Sequence, residues 1–286
     1  MGFDYLVIGH VTRDRKPDGG FVLGGTVTYA ARTARALGCR AGVVTSAETD
    51  LPLSEALGNV EIHCIPSPAT TTFENRYTSR RRIQIVGSVA PRLTPEEVPP
   101  AWRGAAVVHL GPVAGECDPA LVEIFPGSFL GVTPQGWMRR WDQEGRVGPA
   151  PWDGAEAVLA RADAVVLSQE DVAGDEAQVA RWARLTPLLV LTRGPAGCTL
   201  FVDGRAEDVP ATPIPEVDPT GAGDIFAAAF FVLIQRGWSP LEAARFANCV
   251  AAASVTRPGL AGTPTPDDVA RCLASCADAA AGGPWR

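Results

Sequence analysis

Asp218-Pro219-Thr220-Gly221-Ala222-Gly223-Asp224 runs without a break into Ile225-Phe226-Ala227-Ala228-Ala229-Phe230-Phe231 and on to Ile234. The second half is apolar enough for a buried helix, so the glycines stand at a helix N-terminus. There the N–H groups that lack an intrahelical partner, together with the positive end of the dipole, form a cradle for phosphate. Glycine lets the backbone approach closely, because it has no Cβ. A phosphoryl group in transfer spreads negative charge over its equatorial oxygens, and fixed N–H donors stabilise that charge. A carboxylate beside the cradle can accept the proton of an attacking hydroxyl. This reading makes Gly221, Ala222 and Gly223 an anion hole and Asp224 a general base. Taken alone, the segment is read equally well as a helix cap and a glycine turn.

Working outward, Tyr5–Gly9 and Ala41–Thr45 are short apolar runs of buried-strand type, joined through an alanine-rich helical stretch from Thr26 to Leu37 that Gly38 closes. From Ala105 on, strand-type runs (Val107–Leu110, Phe129–Val132, Ala164–Leu167, Leu188–Leu191) alternate with helical stretches (Pro119–Phe125, Trp152–Arg161, Glu176–Leu185). Such alternation implies parallel βαβ units with helices on both faces of one sheet. Arg146–Pro151 reads as a loop and Val209–Pro219 as a proline-rich extended connection. Thr70–Val89 alternates apolar and polar residues, as in a small sheet with one open face. We expect one domain over 1–286, of three-layer α/β/α class, with a small β-lid from parts of roughly 10–23 and 70–90 that closes over a site or joins two copies of the chain.

Bulk properties exclude several classes. The net charge is −7, whereas a nucleic-acid or anionic-membrane surface needs basic patches. Lys16 is the single lysine, so Schiff-base chemistry is disfavoured. The longest apolar run, Ile225–Ile234, is half of the ~20 residues a membrane span requires. Met1–Val11 lacks the basic region and apolar core of a signal peptide. The 7 cysteines include no C-x-x-C pair and are read as free thiols of a cytoplasmic protein. The three histidines show no metal-ligand spacing. Gly9–Asp14 is not a Gly-x-Gly-x-x-Gly dinucleotide turn, and no Gly-x-x-x-x-Gly-Lys-Ser/Thr loop occurs.

Asp218-x-Thr220-Gly221-Ala222-Gly223-Asp224-x-Phe226 resembles the C-terminal signature of the ribokinase-like (PfkB) carbohydrate kinases. Gly24-Gly25 with the helix to Gly38 resembles their N-terminal signature. Thr192-x-Gly194-x-x-Gly197 resembles their nucleotide-side turn, and Phe246-Ala247-Asn248 through Val255 the helix beside adenine. The likeness spans nearly the whole chain in the family's order. It implies ATP and Mg2+, with Asp224 as base and Gly221–Gly223 as anion hole. It places Thr192, Gly194, Gly197 and Asn248 on the ATP side, and Asp14, Gly24 and Gly25 on the acceptor side. By the same likeness Asp218 and Thr220 match positions that bind a monovalent cation such as K+ in some relatives. A homodimer through the lid is also implied.

Two departures qualify the likeness. Where the family often carries an asparagine four residues after the glycine pair, Tyr29 stands here and changes the acceptor pocket. Ser168-Gln169-Glu170-Asp171 stands where the family's Asn-x-x-Glu belongs; Ser168 and Asp171 are the replacements on the ATP side, with Asp171 toward Mg2+. A solvated helix start is an equal reading of that quartet. Thr133–Arg140 follows a strand, where α/β enzymes bind ligands. Gln135, Trp137 and Arg139 then contact substrate, or the tryptophan plugs the loop onto the core. Arg76, Arg80, Arg81 and Arg82 are read as a solvated lid edge, or else as a phosphate clamp. The Thr133–Arg140 segment and a general likeness to inositol kinases favour a cyclic polyol of myo-inositol type over other sugars. The alternatives are a nucleoside kinase with Tyr29 as a platform for the base, and a non-catalytic ligand-binding regulator.

Overall fold

The computed structural model describes residues 2–16, 18–77 and 82–280, with backbone only at Tyr77, Arg82 and 278–280. Its main sheet has 9 strands. In chain order these are β1 (Tyr5–Ile8), β4 (Ala41–Ala47), β5 (Glu61–Pro66), β8 (Val107–Leu110), β9 (Phe129–Val132), β12 (Ala164–Ser168), β13 (Leu188–Thr192), β14 (Cys198–Val202) and β15 (Arg205–Val209). In space the order is β15-β14-β13-β12-β9-β8-β1-β4-β5. Neighbours from β13 through to β5 pair in parallel, whereas β14 and β15 add antiparallel at one edge.

The central strands are unbroken apolar runs because helices cover both faces. On β1, Tyr5 and Val7 enter one core while Leu6 and Ile8 enter the other, as the two-residue side-chain period requires. The first core is packed by α1 (Thr26–Ala36), α2 (Leu53–Leu57), α5 (Ala222–Gln235), α6 (Pro240–Ser254) and α7 (Pro266–Ala280). The second is packed by α3 (Ala155–Arg161), α4 (Glu176–Trp182) and the segment around Pro119–Ile124. α5 is apolar all round, with every residue from Ile225 to Leu233 buried, which is the pattern of a central helix. The expected α/β/α layering is present.

A second, 4-stranded sheet stands apart, in the order β3-β2-β6-β7. Its strands are β2 (Thr12–Arg15), β3 (Phe21–Gly24), β6 (Thr71–Tyr77) and β7 (Arg82–Ser88). A hairpin of β10 (Arg139–Trp141) and β11 (Val147–Pro149) reaches it through an isolated bridge between Ile85 and Arg146. His10 ties this sheet to the main one. Its Nε2 donates to the Pro91 carbonyl at 2.9 Å, so its Nδ1 accepts from the Thr71 hydroxyl at 2.7 Å.

Three expectations change, and two strands were not foreseen. Pro119–Ile124 is a 3-10 segment rather than an α-helix, because Pro126 follows and excludes Phe125 from helical backbone. Arg146–Pro151 contains β11, which pairs with β10. β14 and β15 lacked a clear sequence signal, since β15 is polar and exposed along most of its length at the sheet edge. The free-thiol reading fails for Cys249 and Cys272. They form a disulfide between α6 and α7, whose packing brings the two Cα atoms to 5.7 Å, while Cys39, Cys64, Cys117, Cys198 and Cys276 are free. Among the described residues no helix is long and apolar enough to cross a membrane.

Candidate active site

The site begins at the first turn of α5. Gly221 is its N-cap, in the left-handed region at φ 79°, and its carbonyl accepts from Ile225 at 2.9 Å. The Ala222 N–H donates to the Pro219 carbonyl at 3.2 Å, closing the turn into the helix. That leaves the amides of Gly221, Gly223 and Asp224 without a partner among the described residues. Of the three residues expected to supply an anion hole, Ala222 thus has its amide engaged in the turn, while the amide of Asp224 is free. Asp218 braces the approach, its carboxylate accepting from Thr220 N at 2.9 Å and from Gly259 N at 2.7 Å. No cluster of three or more His, Cys, Asp or Glu able to hold a metal occurs among the described residues.

Asp224 sits in the first turn, partly buried. Removal from water pushes its carboxyl up from 3.8 to about 6; the Thr26 hydroxyl and Arg139 oppose this, and Asp171 adds to it. A carboxylate with that affinity for protons is a better base than an exposed aspartate, and it remains ionised at neutral pH. Thr26 opens α1 directly after the glycine pair and was not recognised from sequence; a threonine at a helix start carries no signal of what it faces.

Asp14 on β2, expected on the acceptor side, accepts from the Thr12 hydroxyl at 3.1 Å. Strand pairing sets Thr12 opposite Gly24. A Cβ at Gly24 would lie 2.6 Å from Asp14 Oδ2, so a side chain there would displace the carboxylate. Gly25 is left-handed at φ 85°, and a Cβ there would meet the His10 carbonyl at 2.4 Å. Glu116, also unrecognised from sequence, holds the strand exits together. It is buried, at 2% exposure, and accepts from the amides of His10 (2.8 Å), Val113 (2.9 Å) and Ala114 (2.7 Å).

Tyr29 is nearly covered, with its phenol within electrostatic reach of Asp14 and Asp224. It is 3% exposed and its ring packs against Gly221. α1 must bury its apolar face on α5, which leaves no ring face for a base to stack on. Gln135 is likewise engaged, donating to Asp171 Oδ1 at 3.1 Å. Asp171 closes a turn with Ser168, whose amide donates to Oδ2 at 2.9 Å and whose Oγ accepts from Asp171 N at 3.2 Å. Arg139, beside the Val113 carbonyl, lies within electrostatic reach of Asp224. Trp137 plugs its loop onto the core, donating to the Cys117 carbonyl at 2.8 Å and stacking on Trp152. Arg76 pairs with Glu74 on the exposed lid. Arg80 and Arg81 lie outside the described residues, and of Arg82 only the backbone is described.

Beyond the free amides an apolar slot opens between α6, the Thr192–Gly197 turn and the Val209–Pro219 connection. Thr192, Gly194, Gly197, Phe226, Asn248, Ala251 and Val255 line it, and Ala222 and Gly223 form one end. Gly197 is left-handed at φ 94°, and a Cβ there would lie 2.2 Å from the Val209 carbonyl. Asn248 donates to that carbonyl at 3.0 Å, fixing one wall. Ala211 and Ile214 complete the lining from a connection that reads in sequence only as extended coil.

Comparison with known proteins agrees with this arrangement. The pfkB family carbohydrate kinase profile matches residues 157–268. A cytidine kinase of Thermococcus kodakarensis is 30% identical over 263 residues, covering 84% of this chain and 91% of its own. An inositol 3-kinase of Oryza sativa is 30% identical over 281 residues, covering 89% and 69%. A solved pyrophosphate-dependent kinase of the ribokinase family, complexed with a pyrophosphate analogue and myo-inositol, superposes with a TM-score of 0.79. It is 25% identical, covering 93% of this chain and 99% of its own. The chain thus belongs to the ribokinase-like PfkB family of carbohydrate kinases, phosphotransferases that act on a hydroxyl group.

Proposed function

We propose that this kinase transfers the γ-phosphate of ATP to a hydroxyl of a small cyclic polyol of myo-inositol type, with Asp224 as general base. The observation that carries the reading is an apolar slot that shares Ala222 and Gly223 with the helix N-terminus, whose free amides of Gly221, Gly223 and Asp224 stand beside the Asp224 carboxylate. A nucleotide would lay its base in the slot beside Asn248 and Ala251, so that its terminal phosphate reaches the amides at the helix N-terminus. Pyrophosphate would have no use for an apolar slot, which favours ATP as donor.

The acceptor hydroxyl would lie between Asp14 and Asp224. Asp14 orients the acceptor by accepting a hydrogen bond from a neighbouring hydroxyl. Asp224 takes the proton as the oxygen attacks, and the amides hold the charge that develops on the transferring group. Mg2+ bound to the nucleotide would neutralise phosphate charge; Ser168 and Asp171 are the protein groups nearest that role, and each Asp171 oxygen keeps a lone pair beyond the contacts described. A cyclic polyol is favoured over a nucleoside because the buried Tyr29 ring cannot stack a base. The inositol 3-kinase relative and the solved kinase named with myo-inositol support the same acceptor class.

Product formation should be followed for inositols, sugars and nucleosides, with MgATP and with pyrophosphate as donors, in the wild type and in Asp224→Asn. We expect turnover with MgATP and a cyclic polyol that falls at least ~10³-fold in the variant, as loss of a general base and its charge demands. Turnover that survives the substitution removes Asp224 as base. Pyrophosphate outperforming ATP removes the role of the slot, and a nucleoside outperforming every polyol removes the acceptor reading.

A further inference from the structure

The closest approach at the anion hole is made by a residue that the transfer reaction does not require to touch substrate. A Cβ added to Gly221 would lie 2.3 Å from Tyr29 Cδ1, 2.4 Å from Cε1 and 2.4 Å from Cγ. Near-equal distances to three ring atoms mean that the Gly221 Cα stands over the face of the ring. Gly221 is the N-cap of α5 and holds the left-handed backbone that turns its amide and those of Gly223 and Asp224 outward. Tyr29 sits on α1, where its amide donates to the Gly25 carbonyl and its carbonyl accepts from the Thr33 hydroxyl at 2.8 Å. It is therefore locked one turn from the Gly24–Gly25 acceptor turn. Among the described residues its hydroxyl makes no hydrogen bond, so the ring makes the contact with Gly221.

We propose that Tyr29 is a positioning residue that seats the anion hole: its ring sets the height and tilt of the first turn of α5 and couples the acceptor-side turn to the phosphate-side amides. A smaller aliphatic side chain leaves a gap beneath Gly221, and the amides lose their aim at the transferring phosphoryl group. Nucleotide affinity, which rests on the apolar slot, is retained. This inference rests on the reading of Gly221–Asp224 as an anion hole.

The test compares wild type, Tyr29→Phe, Tyr29→Met and Tyr29→Leu. Calorimetry would measure binding of MgADP and of MgADP with aluminium fluoride, a mimic of the transferring group, and steady-state kinetics would use the best acceptor of the panel. The expected result is a loss of ~10- to 100-fold in kcat and in fluoride-complex affinity for Tyr29→Leu and Tyr29→Met, with KM for MgATP and MgADP affinity held within about threefold. Tyr29→Phe should rescue both losses. Equal losses in MgADP and fluoride-complex affinity, or a Tyr29→Phe as impaired as Tyr29→Leu, would overturn the proposal. If wild type binds the fluoride complex no tighter than MgADP, the anion-hole reading itself falls. If wild type binds it tighter and Tyr29→Leu matches wild type, only the positioning role falls.

Discussion

Asp224 carries opposing influences that together suit a base. Loss of water raises its proton affinity, the Thr26 hydroxyl and Arg139 lower it, and Asp171 raises it again, leaving it at about 6. In the proposed role as base Asp224 works when ionised, so kcat/KM should rise with pH through a limb near 6 and level off above it. A pH–rate profile measured between 4.5 and 8.5 checks this, since an exposed aspartate would place the limb about two units lower. Replacing Arg139 by Gln removes a neighbouring positive charge, so the same limb should move to higher pH. A limb that stays in place in Arg139→Gln would show that the two groups do not communicate. Asp224 was readable from its motif, but its neighbours were not. Thr26, Arg139 and Asp171 come from three remote parts of the chain.

At the level of elements, the site is a meeting of helix starts and strand exits. α1 and α5 pack side by side, so the glycine turn ahead of α1 and the glycine turn ahead of α5 face the same space. α6 supplies the slot wall and is tied to α7 by the Cys249–Cys272 disulfide, with a sequence separation of 23. Closing a loop of that size constrains the unfolded chain by ~3 kcal/mol. Chemical denaturation with and without a thiol reductant should therefore show a lower midpoint for the reduced protein. The Cys249→Ser variant should match the reduced wild type and no longer respond to reductant. A midpoint indifferent to reductant would deny the pair any role in stability. The pairing escaped the sequence because spacing says nothing of how two helices pack. The small sheet was foreseen over 70–90, yet its pairing of β2 in parallel with β6 follows from the connection through the main sheet.

For the molecule as a whole, the sheet centre holds a buried histidine whose protonation should couple to stability. His109 is fully buried between Tyr5, whose hydroxyl lies 2.6 Å from Nδ1, and Thr133, 2.9 Å from Nε2. Burial lowers its proton affinity from 6.5 to about 3. The unfolded chain takes up this proton near pH 6.5 and the folded chain does not. Its contribution is thus present above pH 6.5 and is lost as pH falls toward 3, with a limit of ~1.4 kcal/mol per pH unit. Denaturation at pH 8 and pH 5 should show a smaller acid loss in His109→Gln than in wild type, even if the variant starts less stable. Equal acid losses would show that His109 does not carry the effect. The sequence by itself determined the layering, the strand runs of the parallel sheet and the glycine turn with its aspartate at the start of α5. Those features are local: apolar periodicity, glycine freedom and a helix N-terminus act within a few residues. Only the tertiary structure decided that the Tyr29 ring packs against Gly221, and that Ala222 spends its amide on a turn. It also decided that Gln135 serves Asp171, that Glu116 braces the strand exits and that two cysteines meet across α6 and α7. Each of these depends on which helix packs on which strand, and short-range pattern carries no information about that.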